Sequence, residues 1–475
     1  MAETLVSPGV LTRENDQSFI TEQPVAVGAA IVGPTVKGPV EIPTLVRSYS
    51  DYQNRFGTTF DSGSQTYTFM TSVAAYNYFN NGGQSLLVTR VVSGSTSNWA
   101  YASAEISSSV GSGSLVIEAI DKGVIWNNTS SMTSGSLDSG SVDNVRWQVI
   151  SSNTTSGTFS LAVRRGDDTN TNPVILETWN NLSLDPNQDN YVARVIGDTY
   201  FNYNSTENYL EVTGSFPNRS RYIRIKSVPT PTPNYFDNAG VAKTAFVGYI
   251  PVAGSGSYGG SFAGGTGNII PNGRVMNLYQ NINATDSQGL VGADYNDMLD
   301  LLANQDDYRF NALFTPGITN ATHATQTTTA INNTQGRGDS IYIVDPVAYG
   351  ATIGATTTQA NSRNTSYAAM YWPWLQTIDP DTGDQVWVPA STMIPGVYAF
   401  NGNASEPWFA PAGINRGGLT TVIRHERKLS QANRDTLYSG KVNPIASFPG
   451  VGTVVYGQKT LQKQASALDR VNVRR

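Results

Sequence analysis

Cysteine is absent from this chain of 475 residues, and histidine occurs only at His323 and His425. The absence of cysteine excludes disulfide bonds, thiolate zinc sites, iron–sulfur clusters and cysteine nucleophiles. A metal site would have to depend on carboxylates, and a serine hydrolase would have two candidate bases. Several common classes of enzyme and metal site are therefore excluded.

Charged residues are also scarce, at 14% of the chain, and they are unevenly distributed. The formal net charge of −6 argues against general nucleic-acid binding. Residues 421–475 contain ten Lys or Arg and three Asp or Glu, a net charge of +7, which leaves −13 for residues 1–420. A basic segment on an acidic body is suited to binding nucleic acid or the acidic face of another copy.

No apolar stretch is long enough to cross a bilayer. The longest, Val25 to Val36, is interrupted by Gly28, Gly33 and Pro34, and it is shorter than the roughly 20 residues of a membrane span. The N-terminus lacks the basic and apolar regions of a signal peptide. We therefore expect a soluble protein, kept in a cytosol until release, with no membrane insertion.

Hydrophobic patterning predicts helices and strands in alternation at both ends of the chain. In the first part we expect a strand over 25–33, a helix over 50–56 with Ser50 as N-cap, a helix over 66–81 and a strand over 86–92. Further along we expect helices near 295–302 and 321–333 and strands over 308–314 and 341–344. The last third predicts strands near 386–388 and 452–457 and a basic helix near 421–438.

The region between these parts reads as a β-rich insertion. Short apolar runs separated by Asn, Gly, Asp and Ser predict largely antiparallel strands at 115–121, 145–150, 158–165, 173–179, 191–196, 207–213 and 221–227.

Three motifs look functional, but ordinary structure explains each of them better. Gly254–Gly259 matches G-x-G-x-x-G, yet the Gly-rich residues that follow cannot open the helix of a dinucleotide site. The tripeptide Arg337-Gly338-Asp339 precedes a predicted buried strand, which favours a turn over an integrin-binding loop. Asp379–Asp384 clusters carboxylates but lacks the bidentate glutamate of a calcium loop.

The histidines do not indicate catalysis either. We expect His323 at the start of a helix and His425 on a solvated or interface helix face. The residues therefore predict a β-rich, non-enzymatic, multidomain protein with no cofactor and no metal, in a structural or assembly role.

A series of short motifs in the C-terminal third resembles the contractile tail sheath proteins of myovirus-type bacteriophages and related injection machines. They are Tyr371–Leu375, Val388–Ser391, Ile394–Ala399, Trp408–Gly413, Asn433–Tyr438, Val442–Ile445, Gly452–Thr460 and Asp469–Arg475. Weaker matches are Ser7–Val10, Arg55–Gly57, Asn81–Gly83, Val88–Val91, Phe314–Gly317 and Arg337–Asp345. Each motif is short, but their order is that of the family.

The resemblance implies an α+β multidomain fold with a discontinuous α/β core domain. An N-terminal arm would cover 1–22, and the core would combine 23–92 with 346–475. Residues 93–345 would protrude outward as an insertion, β-rich over 93–235 and α/β over 236–345. The family chain continues past the Asn-Val-Arg-Arg segment into a C-terminal arm, so we expect that arm to be missing here and the chain to be truncated.

The resemblance also implies a function. Family members form hexameric rings stacked helically around the tail tube, and contraction drives the tube through the host envelope for genome delivery. The implied partners are other copies of the chain, the tail tube protein, and the baseplate and tail terminator proteins, without direct nucleic-acid contact. The implied location is the phage virion tail, with assembly in the host cytoplasm.

Two kinds of segment are candidates for contacts with the tube or a neighbouring subunit: the N-terminal arm and the basic C-terminal segment. The candidate residues are Ser7, Pro8, Gly9, Arg424, Arg427, Lys428, Arg434, Arg474 and Arg475. Two other functions stay open at this point. A virion adhesin or receptor-binding protein would explain the β-rich insertion and the Arg-Gly-Asp tripeptide, and a glycan hydrolase would need a carboxylate pair.

Overall fold

The computed structural model describes residues 28–62, 65–94, 99–110, 113–127, 142–169, 171–253, 259–267, 279–406 and 408–474. The strands within these ranges are β1 Ala29–Gly33, β2 Thr44–Val46, β3 Thr59–Ser62, β4 Gln65–Thr68, β5 Leu86–Arg90, β6 Tyr101–Ser107, β7 Gly113–Lys122, β8 Val145–Asn153, β9 Thr158–Arg165, β10 Ile175–Ser183, β11 Tyr200–Asn204, β12 Tyr209–Thr213, β13 Ile223–Ser227, β14 Gly259–Ser261, β15 Ala312–Thr319, β16 Ile341–Asp345, β17 Ala368–Trp372, β18 Leu375–Ile378, β19 Gln385–Val388, β20 Val422–His425, β21 Val442–Phe448 and β22 Gly452–Val455. The helices are α1 Tyr49–Phe56, α2 Met70–Asn80, α3 Val192–Ile196, α4 Thr244–Val247, α5 Asn296–Leu301, α6 Ala324–Arg337, α7 Ile353–Asn361, α8 Ile394–Ala404, α9 Gln431–Ser439 and α10 Val471–Arg474.

An eight-stranded sheet lies at the centre of the molecule, in the order β2-β5-β1-β15-β16-β17-β21-β22. The five inner pairings are parallel, and the two outermost, β2 with β5 and β21 with β22, are antiparallel. Every residue of β1, β5, β15, β16 and β17 is buried. Strands buried along their whole length indicate a parallel sheet that is covered on both faces.

Helices cover the two faces of the central sheet. On one face, α1, α2 and α8 contribute Phe56, Val73 and Val397 to a core shared with β1 and β16. On the other face, α5, α6, α7 and α9 contribute Met298, Ile331, Ala360 and Leu437, in that order, to a second core. The α/β layer expected from the sequence is therefore present, with one core on each side.

The segment from residue 99 to 267 forms the β-rich part of the molecule. Its main sheets are antiparallel, in the orders β10-β9-β8-β14 and β13-β7-β6, and they share a third core. The hairpin of β11 and β12 adds Tyr203 and Leu210, which pack against the core around α5 and α6. The predicted antiparallel insertion agrees with this arrangement.

One predicted strand in this segment is wrong. Residues 192–196 form the short helix α3, in which Val192, Ala193 and Ile196 are buried, and Tyr191 is its N-cap. The apolar, β-branched residues favoured a strand, but their spacing also fits a helix face, and tertiary packing decides such short segments.

The basic helix predicted near 421–438 is also wrong. Residues 422–425 form strand β20, which pairs with β18, and helix α9 begins only after Ser430. The Ser430 side chain accepts a hydrogen bond from the Asn433 backbone N–H and so caps the shorter helix. The β-branched pair Val422 and Ile423 suits a strand better than a helix.

Smaller differences concern where elements begin. Helix α1 is capped by Ser48 rather than Ser50, and residues 66–68 belong to β4 rather than to the following helix. Strand β15 begins at Ala312 and continues through Pro316-Gly317, where its register with β16 shifts.

The predicted boundary at residue 345 does not coincide with a division in the sheet. Strands β15 and β16 belong to the predicted insertion, yet they lie between β1 and β17 in the central sheet. Strands from 29–90 and from 312–455 therefore share one sheet, and 99–267 forms sheets of its own.

Candidate functional site

The carboxyl edge of the central sheet is where an open α/β protein normally binds its ligands. Here that edge is occupied by side chains that join neighbouring elements. The Gln288 side chain donates to the Pro316 carbonyl at 2.9 Å and accepts from the Met70 backbone N–H at 2.8 Å. Gln288 therefore connects β15 to the start of α2.

Asp345 makes a second connection at this edge, at the end of β16. Its carboxylate accepts hydrogen bonds from the Ser391 backbone N–H at 3.0 Å and the Ser391 hydroxyl at 2.5 Å. Burial raises the pKa of Asp345 to about 7, while the two bonds from Ser391 act in the opposite direction. The partners of this carboxylate are structural, since they fix the turn that leads into α8.

The amino edge of the sheet has a cavity of about 250 Å³. Tyr78, Ser85, Asn311 and Tyr398 lie among its lining residues, together with several glycines. Among the lining residues in the described part of the chain there is no Asp, Glu, His, Lys or Arg. Such a cavity offers no acid–base pair for catalysis.

The carboxylates at 379–384 serve a turn, as their sequence suggested. Asp379 accepts from the Asp381 backbone N–H at 3.0 Å. Asp381 in turn accepts from the Tyr49 hydroxyl at 2.7 Å and the Gln53 amide at 2.9 Å, which ties the turn to α1. Within the ranges the structure describes, no group of three or more His, Cys, Asp or Glu side chains is arranged to hold a metal ion.

The Arg-Gly-Asp tripeptide forms the end of α6. The Arg337 side chain is 1% exposed and donates to the carbonyls of Leu302 at 2.9 Å and Tyr308 at 2.7 Å. Gly338 ends the helix in the left-handed region at φ 77°. Because the arginine is buried within its own chain, this tripeptide is not displayed as an adhesive loop.

Each of the two histidines lies beside a threonine hydroxyl of its own chain. His323 is buried at the start of α6, as expected, and its Nδ1 lies 2.7 Å from the Thr322 hydroxyl. His425 lies on β20 rather than on a helix, with Nε2 3.0 Å from the Thr453 hydroxyl. Burial lowers the pKa of both imidazoles, which favours their neutral forms.

Several predicted site residues fall outside the described ranges. These are Ser7, Pro8, Gly9 and Arg475, together with residues 254–258 of the glycine motif. Gly259, the last residue of that motif, begins strand β14 rather than a helix. Within the described residues no helix has the length and apolar character that a membrane crossing needs.

Three of the predicted arginines stack on aromatic rings of their own chain. The guanidinium of Arg424 lies 5.3 Å from the Trp387 ring, that of Arg434 lies 5.1 Å from Phe448, and that of Arg474 lies 3.6 Å from Tyr367. Stacking of this kind holds the arginines in place while leaving part of the charge available. Arg427 and Lys428 lie exposed in the connection between β20 and α9.

Sequence reasoning missed a second group of cations, Lys441, Lys459 and Arg470, around Tyr438. Lys459 donates to the Tyr438 carbonyl at 2.8 Å, and Arg470 donates to its hydroxyl at 3.1 Å. Burial lowers the pKa of Lys459, and the charges of Lys441 and Arg470 lower it further. The net charge of the segment signalled an excess of cations, but only the fold brings these three together.

Comparison with known proteins gives a consistent result. Residues 291–461, from the turn before α5 to beyond β22, match the family model described as the phage tail sheath protein central domain. The tail sheath protein of Vibrio phage KVP40 is 39% identical over 150 residues, which are 32% of this chain and 21% of that protein. The tail sheath protein of Enterobacteria phage T4 is 44% identical over 89 residues, 19% of this chain and 14% of that protein.

These alignments cover 21% or less of the length of the two relatives. Both are named as tail sheath proteins rather than enzymes, in agreement with the predicted non-enzymatic role. The crystal structure of a sheath tail protein from Listeria innocua has a similar fold, with a TM-score of 0.51 at 10% identity over 95% of this chain and 74% of that one. Residues 291–461 of this chain therefore match the phage tail sheath central domain, in agreement with the resemblance found in the sequence.

Proposed function

We propose that this chain is the structural subunit of a bacteriophage contractile tail sheath. The observation that carries the proposal is the match of residues 291–461, which contain five of the eight strands of the central sheet, to the tail sheath central domain. The occupied carboxyl edge of that sheet also supports a structural rather than a catalytic role.

In this proposal the subunits form hexameric rings that stack helically around the tail tube. A heterologous contact that does not close on itself produces such a helical polymer. The outer edge of β2 carries no further strand among the described residues, so a strand from a neighbouring copy can extend the sheet there. The opposed charges of the two parts of the chain support contacts between identical copies.

Contraction would use energy stored in the assembled lattice. Subunits that move as nearly rigid bodies into a lattice with better contacts need no nucleotide. The two helix layers packed on both faces of one sheet support rigid-body behaviour, because close-packed cores deform little. The movement would drive the tube through the host envelope for genome delivery.

The proposed partners are other copies of the chain, the tail tube protein, and the baseplate and tail terminator proteins. The proposed location is the virion tail, with assembly in the host cytoplasm. Of the candidate contact residues, Arg424, Arg427 and Lys428 are exposed. Contacts with aromatic rings of the same chain are made by Arg424, Arg434 and Arg474. The buried Arg337 weighs against the alternative of an adhesin.

Electron microscopy of the purified chain tests this proposal, with and without the tail tube protein of the same phage. We expect sheaths with six-fold symmetry around tubes over a concentration series. Trimers that bind a receptor, or a chain that never coats the tube, would contradict the proposal.

A further inference from the structure

An acidic surface lies at one end of the helix layer that contains α5, α6, α7 and α9. Residues 294–307 contain five aspartates and no Lys or Arg. Asp297, Asp306 and Asp307 are exposed, and Asp300 is half-buried. We name these four residues the acidic end. Among the described residues none of these four forms an ion pair. Burial raises the pKa of Asp297, and the negative charge of Asp300 raises it further.

A basic surface lies around α9, at the other end of the same layer. We name Arg427, Lys428, Arg434, Lys441 and Lys459 the basic end. Within the described ranges none of these five cations forms an ion pair, although the neighbouring Arg470 pairs with Asp469 at 3.4 Å. Burial lowers the pKa of Lys459, the charges of Lys441 and Arg470 lower it further, and Asp469 acts in the opposite direction.

The fold keeps these two surfaces apart. Helix α5 packs on α6, which lies over β15 and β16, whereas α9 packs on β21 and α7. Strands β15 and β21 are separated by β16 and β17, so they lie about 14 Å apart at about 4.8 Å per strand. This distance alone exceeds the Debye length of about 8 Å at physiological salt. The two surfaces therefore do not neutralise each other within one molecule.

We propose that the acidic end of one copy binds the basic end of a second copy. The inference rests on the proposed sheath function and assigns the surfaces through which subunits meet. Two different surfaces of the same chain form a heterologous contact, and such a contact continues from copy to copy instead of stopping at a dimer. Complementary charges of this kind also fix the orientation of the partners.

Two charge-reversed variants of the full chain test the contact. The first carries Asp306→Lys and Asp307→Lys, and the second carries Arg427→Glu and Lys428→Glu. The control carries Glu105→Lys and Glu207→Lys, two exposed carboxylates of the β-rich part. Self-association is measured by analytical ultracentrifugation in low salt.

We expect the wild-type chain and the control to associate into oligomers that dissociate as salt is added. Each reversed variant should associate about tenfold more weakly or worse, because like charges then meet in the contact. An equal mixture of the two variants should form dimers with wild-type affinity, since the intact basic end of one meets the intact acidic end of the other. These mixed dimers should also grow, because the introduced lysines of one variant are complementary to the introduced glutamates of the other.

The proposal is overturned if the wild-type chain stays monomeric in low salt, if the variants associate like the control, or if their mixture forms no dimers. Circular dichroism of each variant checks that it is folded. If the variants coat the tail tube as well as the wild type does, this contact is wrong but the sheath function stands. If the contact is present and the wild type does not coat tubes, the sheath function fails instead.

Discussion

The buried carboxylate of Asp345 makes a quantitative prediction about stability. Its pKa is raised from 3.8 to about 7, so between these pH values the folded protein binds a proton that the unfolded chain has released. The free energy of unfolding therefore decreases as the pH rises from about 4 to about 7. A separation of about three pH units corresponds to about 4 kcal/mol.

Replacing Asp345 with asparagine should remove this pH dependence. The asparagine oxygen can accept from the Ser391 backbone N–H, and its amide can donate to the Ser391 hydroxyl, so the connection to α8 is kept. We expect the variant to be more stable than the wild type above pH 7, by up to about 4 kcal/mol, and to have no advantage near pH 4.

Native-state hydrogen exchange of the amides in β16 and β17 measures the free energy of opening this part of the sheet. The difference between variant and wild type at each pH removes the contributions of other titrating groups. Ser391→Ala is the matched control: it removes a bond that lowers the pKa of Asp345, so the loss of stability should extend to higher pH. Parallel pH curves for wild type and Asp345→Asn would refute the reasoning.

Three further substitutions test other structural contacts. Arg337→Ala should lower the free energy of unfolding in urea by about 2–4 kcal/mol, because two carbonyls lose their hydrogen-bond donor. Asp339→Ala should lower it far less, and a similar loss in both variants would contradict the assigned roles. Tyr398→Phe should lower the free energy of unfolding by about 1 kcal/mol, since it removes the 2.7 Å hydrogen bond between the hydroxyls of Tyr398 and Tyr371; an unchanged thermal midpoint would count against that bond. Gly338→Ala should lower the free energy of unfolding by about 1 kcal/mol from backbone strain alone, because no atom lies within 4 Å of the added methyl group. A larger loss in thermal unfolding would show that the site is crowded.

The sequence predicts some elements of this fold well, for a physical reason. Strands β5 and β16 are buried on both sides, and each begins with a run of apolar residues, Leu86–Val88 and Ile341–Val344. Short segments such as α3 and β20 have too few residues to show a period, and their conformation is decided by the elements they pack against. The place of β15 and β16 between β1 and β17 depends on contacts distant in sequence, which no local pattern contains.

The sequence predicts the net charge of the basic C-terminal segment but not how its cations are arranged in space. Counting residues places an excess of cations after Thr421. The grouping of Lys441, Lys459 and Arg470 around Tyr438 depends on three separate elements and needs the fold. The aspartates at 297–307 can be found in the sequence alone. Their proposed role as a contact surface depends on the cations at the other end of the same helix layer, which only the fold reveals.

The position of the unpaired charges links the fold to the proposed function. Polar side chains at the carboxyl edge of the central sheet, such as Gln288 and Asp345, are paired with their own chain. The residues of the acidic end and of the basic end form no ion pairs among the described residues. The only ion pair beside the basic end in that part of the chain joins Arg470 to Asp469. Since charges without an ion-pair partner in one subunit can gain one from another, the position of these charges supports the proposed contact between copies.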